Sequence, residues 1–342
     1  MEKEQQFKDR ISDYLIPRIE EGFLFDELSD NYLNRAGIGD IMKDVPVPIR
    51  RAELDQGLST LAIARNMAYV IGCDINFRYA ENYKAYILRT FTSDFVKPLI
   101  NEGVDLAAHD SYEEACILFR AAILLDPENR DAFYCYGRAC KDAYENGEGE
   151  EYVGRFKAES LEAFEKLTLK APDYDMGFYF LGFGYINLGL YIKAKLTWDR
   201  FMELSEDGEL RAEIRGLLDK LTEPCKIEEG YNAVLSGRYE EGIAILSDYE
   251  DDERFNTWWP LWYYLGVAYK GLELQEEAEQ RLLRALQYSP SNTDVMGELV
   301  EIYDACGNEE KRLKYEKKIR IVRENAEKDR EEKRAAAMPG LS

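Results

Sequence analysis

Few residues in this 342-residue chain have the type and spacing to do covalent or metal chemistry. The single histidine, His109, stands beside Asp110 at the expected end of a helix. One histidine argues against a histidine-built metal centre and against a Ser/His/Asp relay; beside a carboxylate at a helix end it reads as a structural hydrogen bond. Gly37-Ile-Gly39-Asp40 is glycine-rich, yet no strand precedes it and no third glycine follows at dinucleotide spacing, so it reads as a helix C-cap and turn. Glu250-Asp-Asp-Glu253 has charge for a divalent cation but lacks the alternating ligands and central glycine of a calcium loop, and reads as a solvated linker. The six cysteines, at 73, 116, 135, 140, 225 and 306, show no C-x-x-C spacing. They are expected to be reduced, buried and small, as in a cytosolic protein. No nucleophile–base pair arises from local spacing. The expectation is a chain without catalysis, metal or cofactor.

The elements that carry these residues must come from an acidic chain. Lys and Arg number 44 against 67 Asp and Glu, a formal net charge of -23. Duplex nucleic acid is disfavoured as a partner, because phosphate neutralisation needs clustered cations. Met1 to Arg10 has no apolar signal core, and the most apolar run, Thr257 to Tyr269, is shorter than the ~20 residues of a membrane-spanning helix. The expected location is cytoplasmic, away from membranes.

The chain repeats itself. Phe178-x-x-Leu181-Gly182-x-x-Tyr185 leads to Ala194-x-x-x-Trp198, and Trp262-x-x-Leu265-Gly266-x-x-Tyr269 leads to Ala278-x-x-x-Leu282 and Pro290. Phe133-x-x-Tyr136-Gly137-x-x-Cys140 runs later into Phe164 and Pro172. An earlier copy has Leu99, Gly103 and Ala115-x-x-x-Phe119, and a weaker one has Gly230, Gly242 and Leu246. The key glycines fall at intervals of 34, 45, 48 and 36 residues. The first long interval is read as a loop at Asn146–Tyr152, the second as an extra amphipathic helix at 211–221. A degenerate sixth copy begins around Val300, Tyr303 and Gly307.

These residues resemble the tetratricopeptide repeat (TPR), a helix–turn–helix unit of 34 residues. Physically, a glycine on the first helix (A) admits the second (B), large residues on either side of it fill the space, and a proline ends helix B. The expected fold is an all-α TPR-type solenoid, a right-handed superhelix, with five to six repeats over residues 93–325 and insertions near 145–156 and 207–222. Residues 1–92 lack the repeat and read as helices near 3–16, 24–36, 50–72 and 77–91, forming a helical cap over the array's open end. Val45-Pro-Val-Pro-Ile49 breaks them as an extended stretch. Residues 326–342 read as a charged, frayed tail.

The resemblance implies a groove lined by helix A. Its slots hold Tyr134 and Arg138, Tyr179 and Phe183, Tyr231, and Tyr263 and Val267, with Asn187 and Lys270 one turn deeper. Ile100, Val104, Ile227, Val234, Ile186 and Lys141 occupy the other slots. The expected function is a non-catalytic adaptor or scaffold that binds a peptide segment or helix with apolar, aromatic and basic character. The alternative is an enzymatic or nucleic-acid factor acting through residues 1–92 or the tail 311–334. That tail carries 11 basic and 6 acidic residues, and the array would then be its docking module.

Overall fold

The computed structural model describes residues 9–54 and 59–336; the expected helix 3–16, the start of helix 50–72 and the last tail residues lie partly outside this range. The chain forms two compact units that divide at Ile214/Arg215. The division does not follow a boundary at 92/93, because the N-terminal elements share one apolar core with the first repeat helices.

In the first unit the N-terminal region runs α1 (Ser12–Leu15), α2 (Pro17–Gly22), β1 (Phe23–Glu27), α3 (Asp30–Ala36), α4 (Gly39–Met42), β2 (Pro46–Arg50), α5 (Thr60–Cys73) and α6 (Ala80–Phe91). β1 and β2 form an antiparallel pair, with Phe23 opposite Arg50 and Glu27 opposite Pro46. This corrects the helical reading of 24–36, in which the helix starts only at Asp30; the short ribbon is an addition to an otherwise all-α fold. Pro46 and Pro48 hold their stretch extended and tolerate a two-stranded ribbon, where a missing N–H need not leave a ladder gap. α5 starts at Thr60, where the Ser59 side chain accepts a hydrogen bond from the Ala62 N–H. Ten of its fourteen residues are buried.

Three helix pairs follow: α7 (Val96–Ala108) with α8 (Tyr112–Leu125), α9 (Arg130–Asn146) with α10 (Glu150–Lys170), and α11 (Asp175–Ile186) with α12 (Tyr191–Leu204). The extra helix is present as α13 (Gly208–Lys220), which carries the division between the units. The second unit holds α14 (Thr222–Leu235) with α15 (Tyr239–Leu246), α16 (Trp259–Gly271) with α17 (Gln275–Tyr288), and α18 (Thr293–Ala305) with α19 (Glu309–Ala336).

Each of the first five pairs brings a glycine of its first helix against a large residue of its second. A Cβ added at Gly103 would meet the Phe119 ring at 2.6 Å, at Gly137 the Phe164 ring at 2.8 Å, and at Gly182 Trp198 Nε1 at 2.0 Å. At Gly230 it would meet Leu246 at 2.7 Å, and at Gly266 Leu282 at 2.6 Å. The large residue lies 16 positions after its glycine in four pairs and 27 after it in the α9–α10 pair. The eleven extra residues therefore sit inside that hairpin. They do not form the expected loop: only 147–149 are non-helical, and the excess lengthens the helices, α10 reaching 21 residues. Glu150 and Glu151 suit the positive end of the α10 dipole, and Tyr152 and Phe156 pack ring to ring at 4.4 Å.

The sixth pair, α18–α19, lacks the glycine device. Val300 stands in its place, and Tyr303 stacks on Tyr315 at 5.8 Å instead.

Candidate functional site

Two of the three glycines of α11 serve opposite sides. Gly182 faces Trp198 of its own pair, while an added Cβ on Gly184 would meet Leu161 of α10 at 2.8 Å. Close approach on both sides leaves the ring-bearing positions of α11 along a cleft of about 480 Å³ between α9, α10 and α11. Its apolar wall comes from Ala158, Leu161, Phe164, Phe180 and Phe183; Lys141, Lys157 and Asn187 stand at its rim. Lys141 is paired with Glu145 at 2.5 Å, and Lys157 Nζ donates to the Asn187 carbonyl at 3.3 Å.

Phe180, to which the sequence reading gives no groove role, is the hub. It stacks on Phe164 at 5.2 Å and meets Tyr134 at 5.9 Å and Tyr179 at 5.1 Å. The exposed Arg138 guanidinium lies 5.4 Å from the Phe180 ring centre and 5.9 Å from that of Tyr134, and pairs with no carboxylate among the described residues. Tyr134, Arg138, Tyr179, Phe183 and Asn187 thus belong to one neighbourhood of the first unit. Its rings are not free-standing, however. Phe183 meets the buried Trp198 at 5.0 Å, Tyr179 meets the buried Phe201 at 5.5 Å, and the Tyr179 hydroxyl donates to Glu213 of the extra helix at 3.0 Å. Burial, then that bond to Glu213, pushes the Tyr179 phenol up to about 12, so it stays a neutral donor at physiological pH.

The remaining four groove residues lie in the second unit. Tyr231 stacks on Tyr264 at 4.9 Å, and Tyr264 meets Tyr263 at 5.2 Å. Burial pushes the Tyr263 phenol up to about 12, helped by the charges of Glu298 and Asp294. Val267 is half-buried. Lys270 is not available as a groove cation: Glu298 holds it, and Glu301 does so at 2.7 Å. Three other slots turn inward rather than toward a groove, for Ile100, Ile227 and Val234 are buried in the cores.

The weak chemical candidates keep structural roles. His109 caps α7, with Nδ1 2.7 Å from the Asp105 carbonyl oxygen. Gly37 ends α3 in the left-handed conformation at φ 64°. Asp252 pairs with Arg254, and Glu250 with Arg281. Four cysteines are buried and Cys135 is half-buried, but Cys306 is exposed, against the expectation for all six; Cys116 Sγ and Cys140 Sγ lie 3.7 Å apart as thiols. Among the described residues no His, Cys, Asp and Glu group is placed to hold a metal ion, and no helix is long and apolar enough to cross a membrane.

No family model matches the sequence, and no curated protein does either. Among solved structures the chain is similar to YrrB, described as a TPR protein with an unusual peptide-binding site (19% identity, 63% of this chain, 96% of that one, TM-score 0.31). It is similar to a tetratricopeptide repeat protein from Parabacteroides merdae (16%, 77% and 93%, TM-score 0.33). A third is TTC0263, a thermophilic TPR protein from Thermus thermophilus (20%, 66% and 89%, TM-score 0.22). The TM-scores are too low for these likenesses to add weight, and the repeat form of this chain rests on its own glycine-anchored helix pairs.

Proposed function

We propose that the chain is a non-catalytic, cytoplasmic adaptor whose first unit holds a peptide segment of a protein partner in the α9–α11 cleft. The observation that carries this reading is the cleft itself. About 480 Å³ of space is walled by the half-buried rings of Phe180 and Phe183, the buried ring of Phe164 and aliphatic groups, and the Arg138 guanidinium, with no carboxylate partner among the described residues, lies over two of the neighbouring rings. An apolar or aromatic side chain entering it would displace water from ring faces, and buried aromatic anchors are where binding energy concentrates. The chain's net charge of -23 favours partners with basic flanks and faster association at low salt. The tyrosines around Tyr264 in the second unit offer a further apolar surface of the same kind.

Site-specific photo-crosslinking tests this. A benzophenone at Ala158, inside the cleft, is expected to capture a partner that the same group at Leu169, 81% exposed, does not. The captured contact must map to one short partner segment. Equal capture from both positions would reject the cleft as the binding surface.

A further inference from the structure

A second cleft of about 450 Å³ opens between the end of β2, α5, α7 and α8, away from the aromatic neighbourhood of α9–α11. Its composition is unlike that of the first. Arg50, Ser59, Arg65 and Asn66 line it, together with the aliphatic side chains of Leu61 and Leu99. In a chain this acidic, arginines of the same unit are mostly consumed by carboxylates: Arg10, Arg18, Arg65, Arg120 and Arg155 all are. Arg50 is not. Among the described residues it makes no ion pair, although it is half-buried.

It is nevertheless held in place. Its guanidinium carbon lies 4.6 Å from the Tyr69 ring centre and 5.1 Å from that of Phe23. Its Nε donates to Asn66 Oδ1 at 3.1 Å, and Asn66, 1% exposed, is itself tied to the Pro48 carbonyl at 3.2 Å. Two rings and one buried amide fix the plane and the rotamer, while the two terminal nitrogens have no hydrogen-bond partner among the described residues. A planar fork fixed in this way matches a carboxylate through two parallel hydrogen bonds, and its ordering cost is already met in the free protein. Ser59 Oγ accepts from the Ala62 N–H and so retains its own proton to donate. Arg65 faces Glu102, so the charges of the described lining residues sum to a single positive one, suited to a monoanion.

We infer that this cleft binds a small organic carboxylate, its head on Arg50 and its short apolar body against Leu61 and Leu99. The site is separate from the peptide cleft and stands whether or not that cleft is used.

The test is a titration of the full chain, labelled with 15N-arginine, with hexanoate, hexanol and inorganic phosphate. Side-chain N–H resonances and thermal melts are followed together. Hexanoate is expected to shift the Arg50 Nε resonance saturably and to raise the melting temperature; hexanol is expected to do neither, and phosphate to bind at least tenfold more weakly. Arg50→Lys keeps the charge and loses the fork, and is expected to weaken hexanoate at least tenfold. Leu61→Glu places a competing carboxylate on an exposed first-turn position without touching Arg50, and is expected to do the same while melting as wild type. Arg78→Gln, which removes an exposed arginine stacked on Tyr79 outside the cleft, is expected to leave binding unchanged. No hexanoate response, equal response to hexanol or phosphate, or wild-type affinity in both Arg50→Lys and Leu61→Glu would overturn the inference.

Discussion

The helix pairs and the N-terminal region both use glycine to admit a neighbouring helix, but against different atoms. In the pairs, a glycine faces the side chain of a larger residue: a ring at Phe119, Phe164 and Trp198, a leucine at Leu246 and Leu282. Where α5 meets α8, Gly72 faces backbone, and an added Cβ would lie 2.1 Å from the Ile117 carbonyl oxygen. The N-terminal segment is then fastened by charge. Arg10 reaches Glu159 and Glu162 of α10, Arg18 reaches Glu113 and Glu114 of α8, and Arg120 holds Asp9 and Ser12. A side chain can rotate away from an intruding methyl, whereas a helix backbone cannot. The two regions should therefore fail in different ways.

The largest effect is expected at Glu159, which is fully buried and accepts from Arg10 at 3.2 Å and from the Tyr136 hydroxyl at 2.7 Å. Burial raises its pKa, against the pull of Tyr136, Arg120 and Arg10. Glu159→Ala removes a buried carboxylate that holds Arg10 and the Tyr136 hydroxyl, leaving Arg10 to Glu162, and is expected to cost ~3 kcal/mol or more in denaturant unfolding. A loss below ~1 kcal/mol would show that the buried Glu159 carboxylate is not what fastens the N-terminal segment.

Next comes Gly72→Ala, with an expected loss at or above the top of the ~1–3 kcal/mol overpacking range, because two backbones must part. If it melts as wild type, the close α5–α8 contact is wrong. Within the pairs, Gly182→Ala is expected to cost more than Gly230→Ala. Trp198 is a large ring whose Nε1 already donates to the Tyr179 carbonyl at 3.1 Å, whereas the Leu246 methyls can turn aside. About 2 kcal/mol against less than ~1 kcal/mol is the contrast sought in paired melts. The reverse order would break the volume explanation of the pairs. The smallest effect is expected on α19: reversing the charges of Lys317, Lys318 and Arg320, all exposed, should change stability by under ~0.5 kcal/mol.

What could be read in the sequence follows the same division. The glycine and its large partner recur at fixed spacing because each pair solves one local volume problem, and repetition separates that signal from chance. It marks five pairs, the sixth and α13 on the sequence alone. Gly72 and Ile117 meet once, 45 residues apart, so no period announces them. The β1–β2 pair is equally silent, since the strands are joined through α3 and α4 rather than by a tight turn. Family slots found the rings of the α9–α11 neighbourhood but misjudged Lys270, Ile227 and Val234. Whether a slot faces outward depends on the side chains of other helices: Glu298 and Glu301 of the next pair take Lys270, and Val234 fills the space beside Gly242 of its own pair. Phe180 escaped because its role comes from Phe164 and Tyr134 on two other helices.

The central claim, that α9, α10 and α11 leave an open seat for an apolar peptide side chain, is tested most directly by filling the seat. Peptides would be selected from a random library on the full chain, and their affinities measured on wild type and on Ala158→Trp. Ala158 lines the cleft and is half-buried, so the indole is expected to occupy the space and leave the melting temperature unchanged. The expected result is selected peptides with an aromatic or branched aliphatic anchor, bound ~30-fold more weakly or worse by the filled variant, the equivalent of one hot-spot side chain at ~2 kcal/mol. Peptides that bind both proteins equally would contradict the claim.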